Sequence, residues 1–127
     1  MRRKHHVGEL QLAILRVLWE HDGATVVGVH DELGKERSLA PNTIGSMLQK
    51  MERKGIVAHR RDGRRYVYRA TVSEDDVRRS MVSDLVRQLF GGDPAALVGH
   101  LVHEEELDMR ELDSLKRAIE RARKERA

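Results

Sequence analysis

"IVAHRRDGRRYVYRA", residues 56–70, holds five arginines and both tyrosines of the chain. Val57, Tyr66, Val67 and Tyr68 are strand formers. The Asp62-Gly63 pair between them is a signal for a two-residue type I′ turn. The stretch therefore reads as a β-hairpin that carries Arg60, Arg61, Arg64 and Arg65 at its tip. Every element on either side of it has the period of a helix, so its place in the order decides the fold.

Working toward the N-terminus, "SLAPNTIGSMLQKMERKGIV" places Pro41 in a helix's first turn, where its missing N–H is not needed. Ile44, Met47, Leu48 and Met51 form its apolar stripe, and Gly55 ends it after the basic Arg53-Lys54. Before it, Thr25 caps a short helix "VVGVHDELG", whose Val26, Val29 and Leu33 face inward and whose Gly34 is the expected stop. The first helix, residues 7–21, is "VGELQLAILRVLWEH", with Leu10, Ile14, Val17 and Leu18 at helical spacing and Leu12, Leu15 and Trp19 widening the stripe. Three helices and then a hairpin is the order of a winged helix-turn-helix.

After the hairpin the chain is helical in period throughout. Ser73 precedes a stripe of Val77, Met81, Leu85 and Leu89; Asp93-Pro94 opens a segment with Leu97, Val98, Leu101 and Val102; Asp108 precedes Leu112, Leu115 and Ile119. Narrow stripes on short helices need a partner to bury them, and a second copy of the chain is the simplest one. The expected fold is mainly α: a winged helix-turn-helix domain over 1–72 with a small β-hairpin wing, then a helical dimerisation region over 73–127. The dimer face is assigned to Val77, Met81, Leu85, Leu89, Leu97, Leu101, Leu112, Leu115 and Ile119.

Composition agrees with this division. Residues 1–72 carry 14 Lys/Arg against 8 Asp/Glu, and residues 73–127 carry 10 against 13. A basic front half suits a polyanionic partner. Aromatics are only 3% of the 127 residues, so the core must rest on aliphatic side chains. The absence of cysteine excludes disulfides and zinc-thiolate sites. No apolar run approaches the roughly 20 residues that span a bilayer. No apolar core or cleavage site of a signal peptide follows "MRRKHH", so the expectation is a cytoplasmic protein without membrane insertion.

The solvent face of helix 41–54 offers Asn42, Thr43, Gly45, Ser46, Gln49, Lys50 and Arg53. Asn42 and Gln49 suit adenine edges, and Thr43 and Ser46 reach bases or phosphates. Gly45 would let the helix approach the groove floor. Lys50 and Arg53 are assigned to the backbone with Arg60, Arg61, Arg64 and Arg65 of the wing. The reading is a sequence-specific binder of double-stranded DNA that needs no cofactor. Alternatives are a winged helix that docks proteins, and an architectural binder without sequence preference.

Beyond these residue patterns, "VGELQLAILRVLWEHDGATVVGVHDEL", "LAPNTIGSMLQKMERKGIVAHRRDGRRYVYRA" and "VSEDDVRRSMVSDLVRQLFGGDPAALVGHLVHEEELDMREL" resemble the penicillinase-repressor family, BlaI/MecI, with its copper-responsive CopY relatives. The resemblance implies a homodimeric repressor on a palindromic operator, with Asn42, Thr43, Gly45 and Ser46 where members touch bases. It also implies release by cleavage in the dimerisation region, through a membrane sensor-protease. The family's Asn-Phe cleavage bond falls on His100-Leu101 here, a departure from the pattern. Copper sensing in that branch uses C-terminal cysteines, which this chain lacks.

Other signals are weaker. His100 and His103, at i and i+3 near Glu104 and Glu106, have a spacing open to a metal, though the polar face of a surface helix is the preferred reading. His5 and His6 read as part of a basic arm, and His59 as a phosphate contact or an exposed side chain. A MarR-like regulator that senses a ligand would turn aromatic or charged residues into a cavity. Phe90 is the only phenylalanine in the last third, which weighs against that reading. No nucleophile elbow, phosphate-binding glycine loop or paired carboxylates in an apolar setting suggests an enzyme.

Overall fold

The computed structural model describes residues 7–126, so His5 and His6 lie outside the described residues. Its order is α1 (Glu9–His21), α2 (Val26–Arg37), α3 (Pro41–Arg53), β1 (Val57–Asp62), β2 (Arg65–Ala70), α4 (Glu74–Phe90), α5 (Pro94–His103) and α6 (Met109–Arg126). The chain forms two compact units, 1–82 and 83–127, and the division falls inside α4.

The core of the first unit is aliphatic, as the composition requires. Ile14, Leu15, Val17 and Leu18 of α1 pack with Val29 of α2, Ile44, Leu48 and Met51 of α3, and Ile56, Val57 and Tyr68 of the hairpin. α1 ends because Asp22 turns left-handed (φ 51°) and Gly23 follows at φ 110°. A Cβ on Gly23 would lie 3.1 Å from the Tyr68 carbonyl oxygen, so both backbone and space demand glycine there. The close approach serves a purpose: the Ala24 amide donates to the Tyr68 carbonyl at 2.9 Å and receives the Tyr68 amide at 2.8 Å. This bridge adds the segment between α1 and α2 to the edge of the hairpin. The Trp19 indole N–H donates to the Val72 carbonyl at 3.0 Å and ties the chain leaving the wing to α1.

Helix ends follow their local chemistry. The Thr25 hydroxyl accepts from the Gly28 amide, Ser73 from Asp76, Asp93 from Ala95 and Asp108 from Glu111, each satisfying an orphan N–H of a first turn. α3 closes in a Schellman motif: the Ile56 amide donates to the Met51 carbonyl and the Gly55 amide to the Glu52 carbonyl.

Two expectations are corrected. Gly34 does not stop α2, which runs on to Arg37 and ends at a left-handed Ser38 (φ 54°). Gly34 is buried inside the helix, where a Cβ would fall 2.3 Å from the His30 ring. The glycine lets that ring lie along the helix, and its Nε2 pairs with the Leu39 carbonyl at 2.9 Å in the turn before α3. The hairpin turn is also shifted by one residue. Asp62 pairs with Arg65, so the loop is Gly63-Arg64, not Asp62-Gly63. Only Gly63 has positive φ (65°), which is the pattern of a type II′ turn with glycine in its first central place.

In the second unit α5 and α6 have no buried residue. Leu89 is 69% exposed and Ile119 55%, with Leu85, Val98, Val102, Met109 and Leu115 also open. Leu97, Leu101 and Leu112 are half-buried.

Candidate nucleic-acid interface

The amphipathic pattern of α3 decides what it shows to solvent. Ile44, Leu48 and Met51 are fully buried, so the opposite face presents Asn42, Thr43, Ser46, Gln49, Lys50 and Arg53. Asn42, Thr43, Ser46 and Lys50, with Met47, line one open surface depression. Asn42, Thr43 and Ser46 lie in the first half of the helix, and Lys50 and Arg53 near its end. Gly45 departs from the expected placement. A Cβ there would meet the two Val26 methyls at 3.9 and 4.0 Å, so this position faces α2 and not the open face.

The hairpin follows α3 after the segment 54–56. Its alternation puts His59, Arg61, Tyr66 and Tyr68 on one face and Arg60, Asp62, Arg65, Val67 and Arg69 on the other. The Arg61 guanidinium stands 6.0 Å from the centre of the Tyr66 ring. Arg60, Arg61, Arg64 and Arg65 are exposed and make no salt bridge among the described residues. Four other arginines are tied up in ion pairs: Arg37 with Glu9, Arg78 with Glu74, Arg79 with Asp75, and Arg87 with Asp84. The wing therefore keeps its charge available for an external anion.

A contact invisible in the sequence links helix and wing. The Glu52 carboxylate, in the last turn of α3, accepts from His59 Nδ1 of β1 at 2.6 and 2.9 Å. The His59 ring also packs against Tyr66 at 4.9 Å and Tyr68 at 5.4 Å between centroids. His59 is thus a strut between the two candidate DNA-contacting elements. Burial, with smaller contributions from Glu52 and Tyr66, pushes the Tyr68 hydroxyl above the ordinary tyrosine range. A second support lies behind α3. Buried Gln11 accepts from Lys54 Nζ at 2.8 Å and donates to Met47 Sδ at 3.4 Å.

Residues assigned to dimerisation divide. Val77 is 1% exposed and belongs to the core of the first unit, and Met81 packs against that core. The first turns of α4 thus complete the winged helix, and Val77 and Met81 leave the exposed stripe. Leu85, Leu89, Leu115 and Ile119 remain open. His100-Leu101 lies within α5, with His100 exposed and Leu101 half-buried. His100 packs on the Phe90 ring at 5.8 Å. No three-donor cluster forms around His100 and His103 among the described residues; the one such group is Glu20, His21 and Glu32, all exposed, with His21 and Glu32 already paired at 3.0 Å.

A recognition helix exposed along one face beside a wing of unpaired arginines defines a winged helix-turn-helix DNA-binding protein. The sequence profile described as Penicillinase repressor matches residues 7–121. The chain is 32% identical over 122 residues to the transcriptional regulator BlaI of Mycobacterium tuberculosis, covering 94% of this chain and 86% of that one. It is 24% identical over 120 residues to the penicillinase repressor of Bacillus licheniformis, covering 94% of each. Its fold matches the solution structure of the Bacillus licheniformis BlaI monomeric form in complex with the blaP half-operator. That match has a TM-score of 0.52 and 30% identity, over 60% of this chain and 93% of that one. The chain belongs to the penicillinase repressor family, and it is a DNA-binding transcriptional repressor. No helix is long and apolar enough to cross a membrane among the described residues.

Proposed function

We propose that the protein is a homodimeric, non-enzymatic cytoplasmic repressor that holds a palindromic DNA operator, with α3 in the major groove and the wing on the phosphate backbone. The observation that carries this reading is the open face of α3 set beside four exposed arginines that make no salt bridge among the described residues. Asn42, Thr43, Ser46 and Gln49 read base edges, whose donor and acceptor patterns suit their side chains. Lys50, Arg53, Arg60, Arg61, Arg64 and Arg65 contact phosphates, which fix register without carrying sequence information. Gly45 is assigned to packing on Val26 and not to bases. Residues 1–72 form the reading domain and 73–127 the dimerisation domain, with the start of α4 built into the former through Val77.

Dimerisation is supported by the unburied stripes of α4 to α6. An 18-residue helix with no buried residue and Leu115 and Ile119 in the open leaves apolar surface that a second copy would cover. Release by a membrane sensor-protease would act on the His100-Leu101 bond. That bond sits inside α5, so cleavage there needs local unwinding first. The test is selection of bound sites from random duplex DNA by the full chain at about 150 mM salt. A palindrome with half-sites about one helical turn apart is the expected product. Recovery of no preferred sequence would leave an architectural or protein-docking role.

A further inference from the structure

Outside the DNA-facing surface, α1 and the start of α4 enclose a cleft of about 210 Å³ within the first unit. α1 contributes Leu12, Arg16 and Trp19, which share one helical face at i, i+4 and i+7. α4 contributes Glu74, Val77, Arg78, Met81 and Val82, again from one face. Leu12, Trp19, Val77, Met81 and Val82 give it apolar walls, and two guanidinium groups and one carboxylate complete its lining. Phe90 is the one phenylalanine that the last third of the sequence offers to line a cavity. Here the aromatic wall comes instead from the first helix.

The polar part of that lining is not neutral. Glu74 accepts from Arg78 at 2.6 Å, so that pair satisfies itself. Arg16 has no hydrogen-bond or ion-pair partner among the described residues, which leaves the cleft one unmatched positive charge. The Trp19 ring is held in orientation by its N–H bond to the Val72 carbonyl, so the wall is preformed. Size limits the occupant. An apolar cavity of about 150 Å³ takes one benzene ring, so the space here fits a single ring or branched chain with one small polar group.

We propose that this cleft binds a small organic monocarboxylate, with its apolar body against Trp19, Leu12 and Met81 and its carboxylate on Arg16. The occupant presses on α4 inside the winged-helix unit, on the helix that then continues to Phe90. The site is independent of how DNA is read, and its occupancy is measured without DNA.

The chain has a single tryptophan, and it lines the cleft, so its fluorescence reports directly on occupancy. The full chain is titrated with phenylacetate, and separately with the neutral 2-phenylethanol, at constant ionic strength. Phenylacetate is expected to give a saturable change with a Kd at or below about 1 mM. Arg16→Gln is expected to weaken phenylacetate at least about tenfold, the effect of losing one charge-assisted bond, and to leave 2-phenylethanol unaffected. Arg16 is exposed, so this variant keeps the fold. Val82→Phe, which adds bulk at a half-exposed wall position, should abolish the response to both compounds. A linear, unsaturable response in the parent protein would overturn the proposal. So would equal phenylacetate binding by Arg16→Gln, or an undiminished response in Val82→Phe.

Discussion

Replacing Arg64 and Arg65 together by alanine should change how DNA binding responds to salt by an amount fixed by the wing's geometry. Both side chains are exposed and neither has an intramolecular salt bridge, so their removal takes away charge without loosening the fold. If each neutralises one phosphate, the slope of log K against log salt becomes shallower by about 0.9 per contact, or about 1.8 per bound chain. Between about 50 and 200 mM salt, affinity of the parent chain for a half-site then falls roughly tenfold more than that of the variant. On a full palindrome held by two chains the difference in slope doubles to about 3.6. Fluorescence anisotropy of labelled duplexes over a salt series measures both quantities. The loss should be the same on the selected operator and on unrelated DNA, because phosphates carry no sequence information. An unchanged slope would refute the placement of the wing on the backbone. A loss confined to the operator would show the arginines reading bases.

Three further outcomes test separate parts of the structure. Gly34→Ala gains about 1 kcal/mol of helix propensity but drives its Cβ into the His30 ring, and an unpaired Leu39 carbonyl costs about 1–3 kcal/mol. The melting temperature should therefore fall, and a rise would show that the ring moves away freely. Gly45→Ala meets Val26 at ordinary contact distance, so it should raise stability by up to about 1 kcal/mol and leave operator affinity within about twofold; a tenfold loss of affinity would put this position in the groove after all. Leu115→Asp combined with Ile119→Asp should shift sedimentation equilibrium to the monomer while the winged-helix unit melts as before; an undisturbed dimer would locate the interface elsewhere.

What the sequence disclosed, and what it hid, divides along a physical line. Period and capping are local, so α1, α3, the hairpin and the caps at Thr25, Ser73, Asp93 and Asp108 stood in the residue pattern. Gly34 misled because a helix-stop glycine and a close-packing glycine look alike until His30 is placed over it. The turn shifted by one residue because Asp62 was needed opposite Arg65, and a pairing register belongs to two strands at once. Val77 carried the same spacing as its partners on α4, and nothing local showed that the stripe changes its role midway along the helix. The Glu52–His59 strut and the cleft on α1 are contacts between elements, and composition does not encode them. The exposed face of α3 was legible except at Gly45, where only the neighbouring helix decides direction.

The bridge from Ala24 to Tyr68 and the bond from Trp19 to Val72 join the first third of the unit to the end of the wing and the residues just after it. Contacts so far apart in sequence form late, because the loop between them must be closed before they contribute. While the chain is being synthesised, α1 to α3 thus leave the ribosome before the segments that fasten them exist. A polypeptide that stops short of residue 72 lacks the acceptor for Trp19 and, if it stops before 68, the whole bridge. Such premature termination products would expose the apolar side of the reading helix to proteases instead of competing for the operator. Both fastenings exist only once the chain has passed residue 72, so the reading unit closes its core no earlier than that point.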